Sequence, residues 1–269
     1  MLAGADGRVV SFYICRMIRR NLLLLLLLLH GWVNAQENTP MILVPYQPEF
    51  YLSDAERDIM ASTDKTPDSY RQYFRKTLDL KLQAELETLA PCHSLLQDTS
   101  ATGKATLEGF YDRTRYSYQD PVGPRVPQKN ETQKKNNKFT LFNDPNAVPQ
   151  TITTRGDSKF MEAEPADTAW LSALAARHQA GLIICINQFE IKTNYNSCID
   201  IANKIYRREI IVHYSILRPN GKQLRGNFLM EFFPSNSNRD SDIAEKSFPQ
   251  LALQLRKQVE EALGLKTKK

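Results

Sequence analysis

The chain has 269 residues, with 35 Lys+Arg against 30 Asp+Glu. Setting aside residues 1–35 removes four basic residues (Arg8, Arg16, Arg19, Arg20) and one acid (Asp6), which leaves 31 against 29 and a charge of +2 in place of +5. That balance removes the global electrostatic case for nucleic acid, which needs basic residues gathered on one face, and no apolar stretch after residue 35 approaches the length of a membrane span.

The first segment reads as a leader. Arg19 and Arg20 precede the leucine run Leu22–Leu29, and Val33 and Ala35 stand at the −3 and −1 positions of a cut after Ala35. A basic start, a short apolar run and small or medium residues before the cut are the three parts of a secretory signal peptide. Met17 is the expected start and Gln36 the expected mature amino terminus, which places the protein in the periplasm or outside the cell. Eight leucines are too few for a membrane anchor, which needs roughly 20 apolar residues. Cys15 precedes the run, so no lipobox follows it. Residues 1–35 are thus an upstream extension and signal peptide, and residues 36–269 are one domain long enough to bury a sizeable core.

Met41–Val44 is apolar and bounded by prolines, which suits a buried strand followed by a loop. Thr66, Pro67 and Asp68 supply an N-cap, a proline at the first helical position and an acid in the first turn. Tyr70, Phe74, Leu78, Leu82, Leu86 and Leu89 then recur at helical spacing until Pro91. Cys92–Leu96 fits one short strand. A second helix is expected over Lys104–Tyr118, with Leu107, Phe110, Tyr111 and Tyr118 on one face.

From Pro121 to about Pro165 the composition turns to Pro, Asn, Gln, Thr and Lys, which reads as a long flexible insertion. It holds the glycosylation-type triplet Asn130–Thr132 and the adhesion-type sequence Arg155–Ser158, both short matches of the kind chance produces. Asp167 caps the next helix, which carries Trp170, Leu171 and Leu174 and is expected to close on a left-handed Gly181. Leu182–Ile191 begins as a continuous apolar run and then alternates, which suits a central strand whose end, Asn187–Glu190, emerges toward solvent. Tyr206–Leu217 and Gln223–Phe233 flank Asn220-Gly221, a strong hairpin signal. Phe233–Asp240 breaks the strand. A terminal helix starts at Asp242 or Phe248 and ends before Gly264, leaving Lys266–Lys269 as a solvated tail that complements the helix dipole.

Three cysteines follow the leader. Cys185 sits inside an apolar run and reads as a small hydrophobe, so Cys92 with Cys198 is the pair expected if a disulfide forms. His93, His178 and His213 stand singly, without the i, i+4 pairing that puts two imidazoles on one helix face, so no metal is expected. His178 in a helix's last turn reads as dipole-complementing. No glycine-rich loop follows a candidate nucleotide-binding strand, and no serine-nucleophile motif is present, so no cofactor is expected and no catalytic residue is nominated. Ser235–Asp242 has the oxygen density of a calcium loop but lacks the central glycine and closing glutamate, and reads as a helix-capping turn. The most site-like stretch is Asn187–Cys198, because ligands of open α/β sheets collect outside the carboxyl ends of strands. Asn187, Gln188, Glu190, Lys192 and Tyr195 are its candidate partner-binding residues. The same polar groups could instead satisfy the backbone of a long connection.

Ile42–Pro45, the long helix, Cys185–Phe189, the Asn220-Gly221 hairpin, Phe233–Ser237 and the terminal helix together resemble a group of uncharacterised exported proteins of Bacteroidota-type bacteria. In element order the chain is also similar to small periplasmic α/β domains: the amino-terminal domain of TolB, penicillin-binding-protein activator lipoproteins and curli-export lipoproteins. That resemblance implies contact with other envelope proteins and names no catalytic residue. The expectation is an α/β (α+β) domain with a mixed sheet, packed helices, a C-terminal β-hairpin and a terminal helix, exported, non-catalytic and bound to an envelope protein. The competing expectation is a hydrolase of unrecognised type that uses the strand end near Asn187–Cys198 with a histidine from elsewhere. A histidine or second carboxylate within reach of Glu190 or Cys198, inside a concave pocket, would favour it.

Overall fold

A computed structural model of the chain describes residues 39–121 and 159–265. All its elements belong to the compact unit Pro40–Lys269. The leader, Asn130–Thr132, Arg155–Ser158 and the terminal lysines lie outside the described residues.

Eight strands and five α-helices are described: β1 (Met41–Val44), β2 (Tyr51–Ser53), α1 (Glu56–Ala61), α2 (Pro67–Leu86), β3 (Cys92–Ser94), α3 (Ala101–Asp112), β4 (Thr114–Gln119), β5 (Phe160–Pro165), α4 (Thr168–Arg177), β6 (Leu182–Asp200), β7 (Ile205–Leu217), β8 (Gln223–Pro234) and α5 (Asp240–Ala262). The main sheet is mixed, in the order β3-β1-β6-β7-β8, with β2 following β1 along the same edge of β6. β1 and β2 run parallel to β6, whereas β6, β7 and β8 form an antiparallel meander. β4 and β5 pair as a separate antiparallel ribbon.

The pleat explains the layering. Successive strand residues point to opposite faces, so Met41, Leu43, Leu182, Ile184 and Ile186 meet Phe74, Leu78, Phe248 and Leu255 of α2 and α5 in one core. Ile42, Val44, Ile183 and Cys185 meet Leu107, Phe110, Leu171 and Leu174 of α3 and α4 in the other. A strand buried on both faces reads as an unbroken apolar run, which is why β1 and the start of β6 are so legible. In α2, Thr66 accepts from the Ser69 N–H and Pro67 opens the helix, while Tyr70, Phe74, Leu78, Leu82 and Leu86 are buried. Each such side chain contributes about 1.5–3 kcal/mol on burial, and Leu78→Ala should cost about 2–5.

Several expectations need correction. The helix after Cys92–Ser94 stops at Asp112, and Tyr116 and Tyr118 belong to β4. The expected loop after β1 holds β2 and α1. The segment expected to be flexible up to Pro165 ends in β5, whose Phe160 and Ala163 are 0% exposed, while its middle lies outside the described residues. The left-handed residue closing α4 is Gln179, with φ 52°, and not Gly181. α5 begins at Asp240 and runs through Pro249, and its N-cap, Arg239, makes no side-chain capping bond. Buried Asp240 in its first turn is instead held by the Lys65 ammonium. The Asn220-Gly221 hairpin stands, with Gly221 at φ 80°, and Gly264 at φ 71° follows α5.

Candidate functional site

The polar stretch of β6 lies beneath the β4–β5 ribbon. A bulge makes Asn187 the extra residue between the pairs Ile186↔Tyr214 and Gln188↔His213. The inserted residue reverses the phase of the strand. Phe189 and Ile191 continue on the α2/α5 face, and Gln188 and Glu190 turn toward the ribbon. Asn187, Gln188 and Glu190 are therefore buried and do not emerge toward solvent as the sequence suggested.

Their hydrogen bonds explain the burial. β5 spends one edge on β4, and its other edge is met by side chains rising from the sheet. The Met161 N–H donates to His213 Nδ1 at 2.8 Å, and the Ala163 N–H donates to Ser215 Oγ at 3.2 Å. Asn187 Nδ2 donates to the Met161 carbonyl at 2.7 Å and to Ser215 Oγ at 2.8 Å. Tyr118 of β4 donates its hydroxyl to Gln188 Oε1 at 2.8 Å, and Gln188 donates its amide to Glu190. Phe160 drops into space that Gly226 leaves open, since a Cβ there would stand 2.3 Å from Phe160 Cζ.

Glu190 also meets His213, whose Nε2 lies 3.4 Å from Oε1, and Lys192, whose ammonium lies 2.7 Å from Oε2. Burial pushes the Glu190 carboxyl up, but the His213 contact and the bond and charge of Lys192 outweigh it, and the net displacement is downward. A histidine is thus within reach of Glu190, as the hydrolase expectation required. Glu190 and His213 are 3% and 4% exposed, and neither lines the hollow between α3 and α4 or the one beside Asp54 and Met60. With Nδ1 accepting from the Met161 amide, the imidazole carries its proton on Nε2, toward Glu190. Nδ1 is thus committed to the ribbon, while Nε2 is buried and faces Glu190 without forming a hydrogen bond.

Lys192 and Tyr195 lie farther along β6, where the chain leaves the body of the domain. β2 ends opposite Ile191, and Asp54 then accepts from the Thr193 N–H at 2.7 Å and from its hydroxyl at 2.9 Å. On the other side, the Ser235 N–H donates to the Tyr206 carbonyl at 2.8 Å. Past these two caps, β6 and β7 continue as a two-stranded arm around Cys198↔Tyr206 and Asp200↔Ile205, closed by a turn with Lys204 at φ 53°. The arm exposes Tyr195 (69%), Ile199 (58%) and Ile201 (85%). Ile199 and Ile201 were not among the sequence candidates, although apolar residues in a polar stretch are the signal that could have found them.

The cysteines Cys92, Cys185 and Cys198 are all free. Cys92 pairs beside Met41, which itself pairs with Leu182, and Cys198 lies sixteen residues beyond Leu182 on β6. That is roughly 50 Å of extended strand, against a Cα separation below about 7 Å for a disulfide. The expected Cys92–Cys198 pair is therefore corrected. Burial pushes the Cys92 thiol up to about 12 and raises Cys185 as well. His178 does not stand alone, since its ring stacks on His93 with centroids 4.3 Å apart. Burial, then His93 and Arg177, lower its pKa against the opposing pull of Asp98.

Among the described residues no three His, Cys, Asp or Glu side chains gather as metal ligands, and no helix is long and apolar enough to cross a membrane. No protein-family model matches the chain, and no curated protein does. Among solved structures it is similar to a variant PelC dodecamer from Paraburkholderia phytofirmans, with TM-score 0.30, 8% identity and coverage of 80% of this chain and 86% of that one. It is also similar to a candidate lipoprotein from Caulobacter crescentus, with TM-score 0.23, 11% identity and coverage of 36% and 80%. Likeness at these scores carries no argument about function.

Proposed function

We propose that the chain is an exported, non-catalytic domain of the cell envelope that binds a protein partner through the β6–β7 arm. The observation that carries this reading is the exposure of Tyr195, Ile199 and Ile201 on an arm with, among the described residues, no strand beside it past Thr193 and Tyr206. Unpaired main-chain edges and clustered exposed apolar side chains are the surface of a binding module. From Asn194 to Lys204 the only charges are Asp200 and Lys204, so the arm offers no excess of basic residues to anionic lipid, which favours a protein partner. Export is supported by the leader Met17–Ala35. Asn187 of β6 holds the Met161 carbonyl of β5 and Gln188 takes the Tyr118 hydroxyl of β4, so these polar groups seat the ribbon.

The test places a photo-crosslinking side chain at Ile201 and, separately, at exposed Leu80 on α2, in the native envelope. An adduct specific to Ile201 that disappears in an Ile199→Ser/Tyr195→Ala background is expected. Identical adducts from both positions, or full rescue of a deletion phenotype by the folded double variant, would refute the arm as the binding surface.

A further inference from the structure

The hollow between α3 and α4 is about 350 Å³ and shares no residue with the arm. Its floor is made of small residues, Ala105 and Gly109 of α3 and Ala173 of α4, and the Trp170 ring forms a wall. Arg113, the C-cap of α3, lies over that ring at 5.2 Å and donates to the Gly109 carbonyl at 2.9 Å. The end of α3 therefore meets the start of α4, and the helices run antiparallel. Arg177, in the last turn of α4, lines the other end beside Thr102 in the first turn of α3. Seven residues of helix separate Trp170 from Arg177, about 10 Å along the axis.

The groove thus carries a guanidinium at each end, with the Trp170 ring beside that of Arg113 and, among the described residues, no carboxylate in its lining. Among the described residues Arg113 pairs with Asp167, at 4.0 Å with both side chains more than 40% exposed, a pairing that solvent makes weak. Arg177 has no ion pair among the described residues. Gly109 keeps the groove open, because a Cβ there would come within 3.3 Å of Arg113 Nη1 and 3.4 Å of Trp170 Cζ2.

We propose that this groove binds an acidic peptide segment of a partner protein, with one carboxylate on Arg113, a second on Arg177, and an apolar side chain between them on Trp170 and the small-residue floor. The spacing selects a peptide. Arg113 stacks on Trp170, and the helix rise from Trp170 to Arg177 of about 10 Å matches three residues of extended chain, so an acid-x-x-acid segment can direct one carboxylate to each arginine, whereas a small monocarboxylate reaches one. Arginine forms bidentate, charge-assisted bonds with carboxylates.

The chain has two tryptophans, Trp32 and Trp170, so in the full chain carrying Trp32→Phe the fluorescence reports Trp170 alone. Titration with a capped octapeptide containing Asp-Leu-Ala-Asp should give a saturable change that weakens with added salt. Replacing both aspartates by asparagine should weaken binding at least about tenfold, and Arg177→Gln or Arg113→Gln at least about fivefold. Gly109→Leu should abolish the change, and Arg177→Gln, on an exposed side chain, keeps the test decisive if that variant misfolds. No saturable change up to millimolar peptide, equal binding of the aspartate and asparagine peptides, or undiminished binding by Arg177→Gln would overturn the proposal. So would benzoate binding as tightly as the peptide, which would make the groove a small-carboxylate site.

Discussion

The Met161 N–H donates to Nδ1 of His213 at 2.8 Å, which joins the edge of a two-stranded ribbon to the middle of a six-stranded sheet through one imidazole. Asn187 holds the carbonyl of the same Met161. Two side chains of the sheet therefore do for β5 what a neighbouring strand would do. An unpartnered buried N–H or C=O costs about 1–3 kcal/mol, so His213→Ala and Asn187→Ala should each lower the unfolding free energy by at least that range in urea titrations. Because both act on one residue, the double variant should lose less than the sum of the singles. A strictly additive result would show that the two bonds seat the ribbon independently.

Gly226 gives a second test of the same seat. An added Cβ would meet Phe160 Cζ at 2.3 Å, and Phe160 is fully buried, so its ring has little room to withdraw. Gly226→Ala should cost about 1–3 kcal/mol through overpacking. Combined with Phe160→Leu, which shortens the side chain at that contact, the penalty of the alanine should shrink. Thermal unfolding of the four proteins of this cycle measures the coupling directly.

The elements legible in the sequence are those whose own residues make them. Thr66 and Asp167 cap their helices, and the Asn220-Gly221 turn closes its hairpin. β4 and β5 were missed for a physical reason. The aromatic residues of Thr114–Gln119 continue a helical spacing begun in α3, and Phe160–Pro165 carries Glu162 and Glu164 and is held by side chains from distant strands. The burial of Asn187, Gln188 and Glu190 was equally hidden, since polar residues at a strand end ordinarily face water. Counting back from Asp200↔Ile205 without bulges would set Glu190 opposite Ser215. The bulges instead set it opposite Ile211, with His213 opposite Gln188. A contact created by register shifts has no counterpart in local sequence pattern, and neither does a helix groove whose two arginines lie sixty-four residues apart.

Asp79 should make the protein less stable as pH rises. It is 3% exposed, and although Ser94 and Gln97 donate to its Oδ2 at 2.7 and 2.8 Å, burial dominates and raises its pKa. The folded protein holds this proton more tightly than the unfolded chain, whose aspartates titrate at about 3.9. Its stabilising contribution is therefore complete below that value and is lost as pH climbs through the folded one. Asp79→Asn should remove the loss, so the stability of the variant relative to the wild type should increase from pH 3.5 to pH 7. A relative stability independent of pH would show that the carboxyl titrates alike in both states.

Glu190 should act in the opposite direction. Burial opposes its charge, yet His213 and Lys192 hold its pKa below the ordinary glutamate value of about 4.3. The unfolded chain then takes up this proton at higher pH than the folded protein does. The stabilisation is present above about pH 4.3 and disappears as pH falls through the lower folded value. Lys192, about half exposed, contributes the part that salt screens, and His213 the part sheltered under the ribbon. Glu190→Gln should therefore trail the wild type by its full margin above about pH 5 and converge on it toward about pH 3. Lys192→Met should narrow the same gap, and added salt should narrow it in the wild type but not in Lys192→Met. Urea midpoints at these pH values, read at low and high salt, decide it: a gap that stays constant down to pH 3 would mean that Glu190 is held by packing alone.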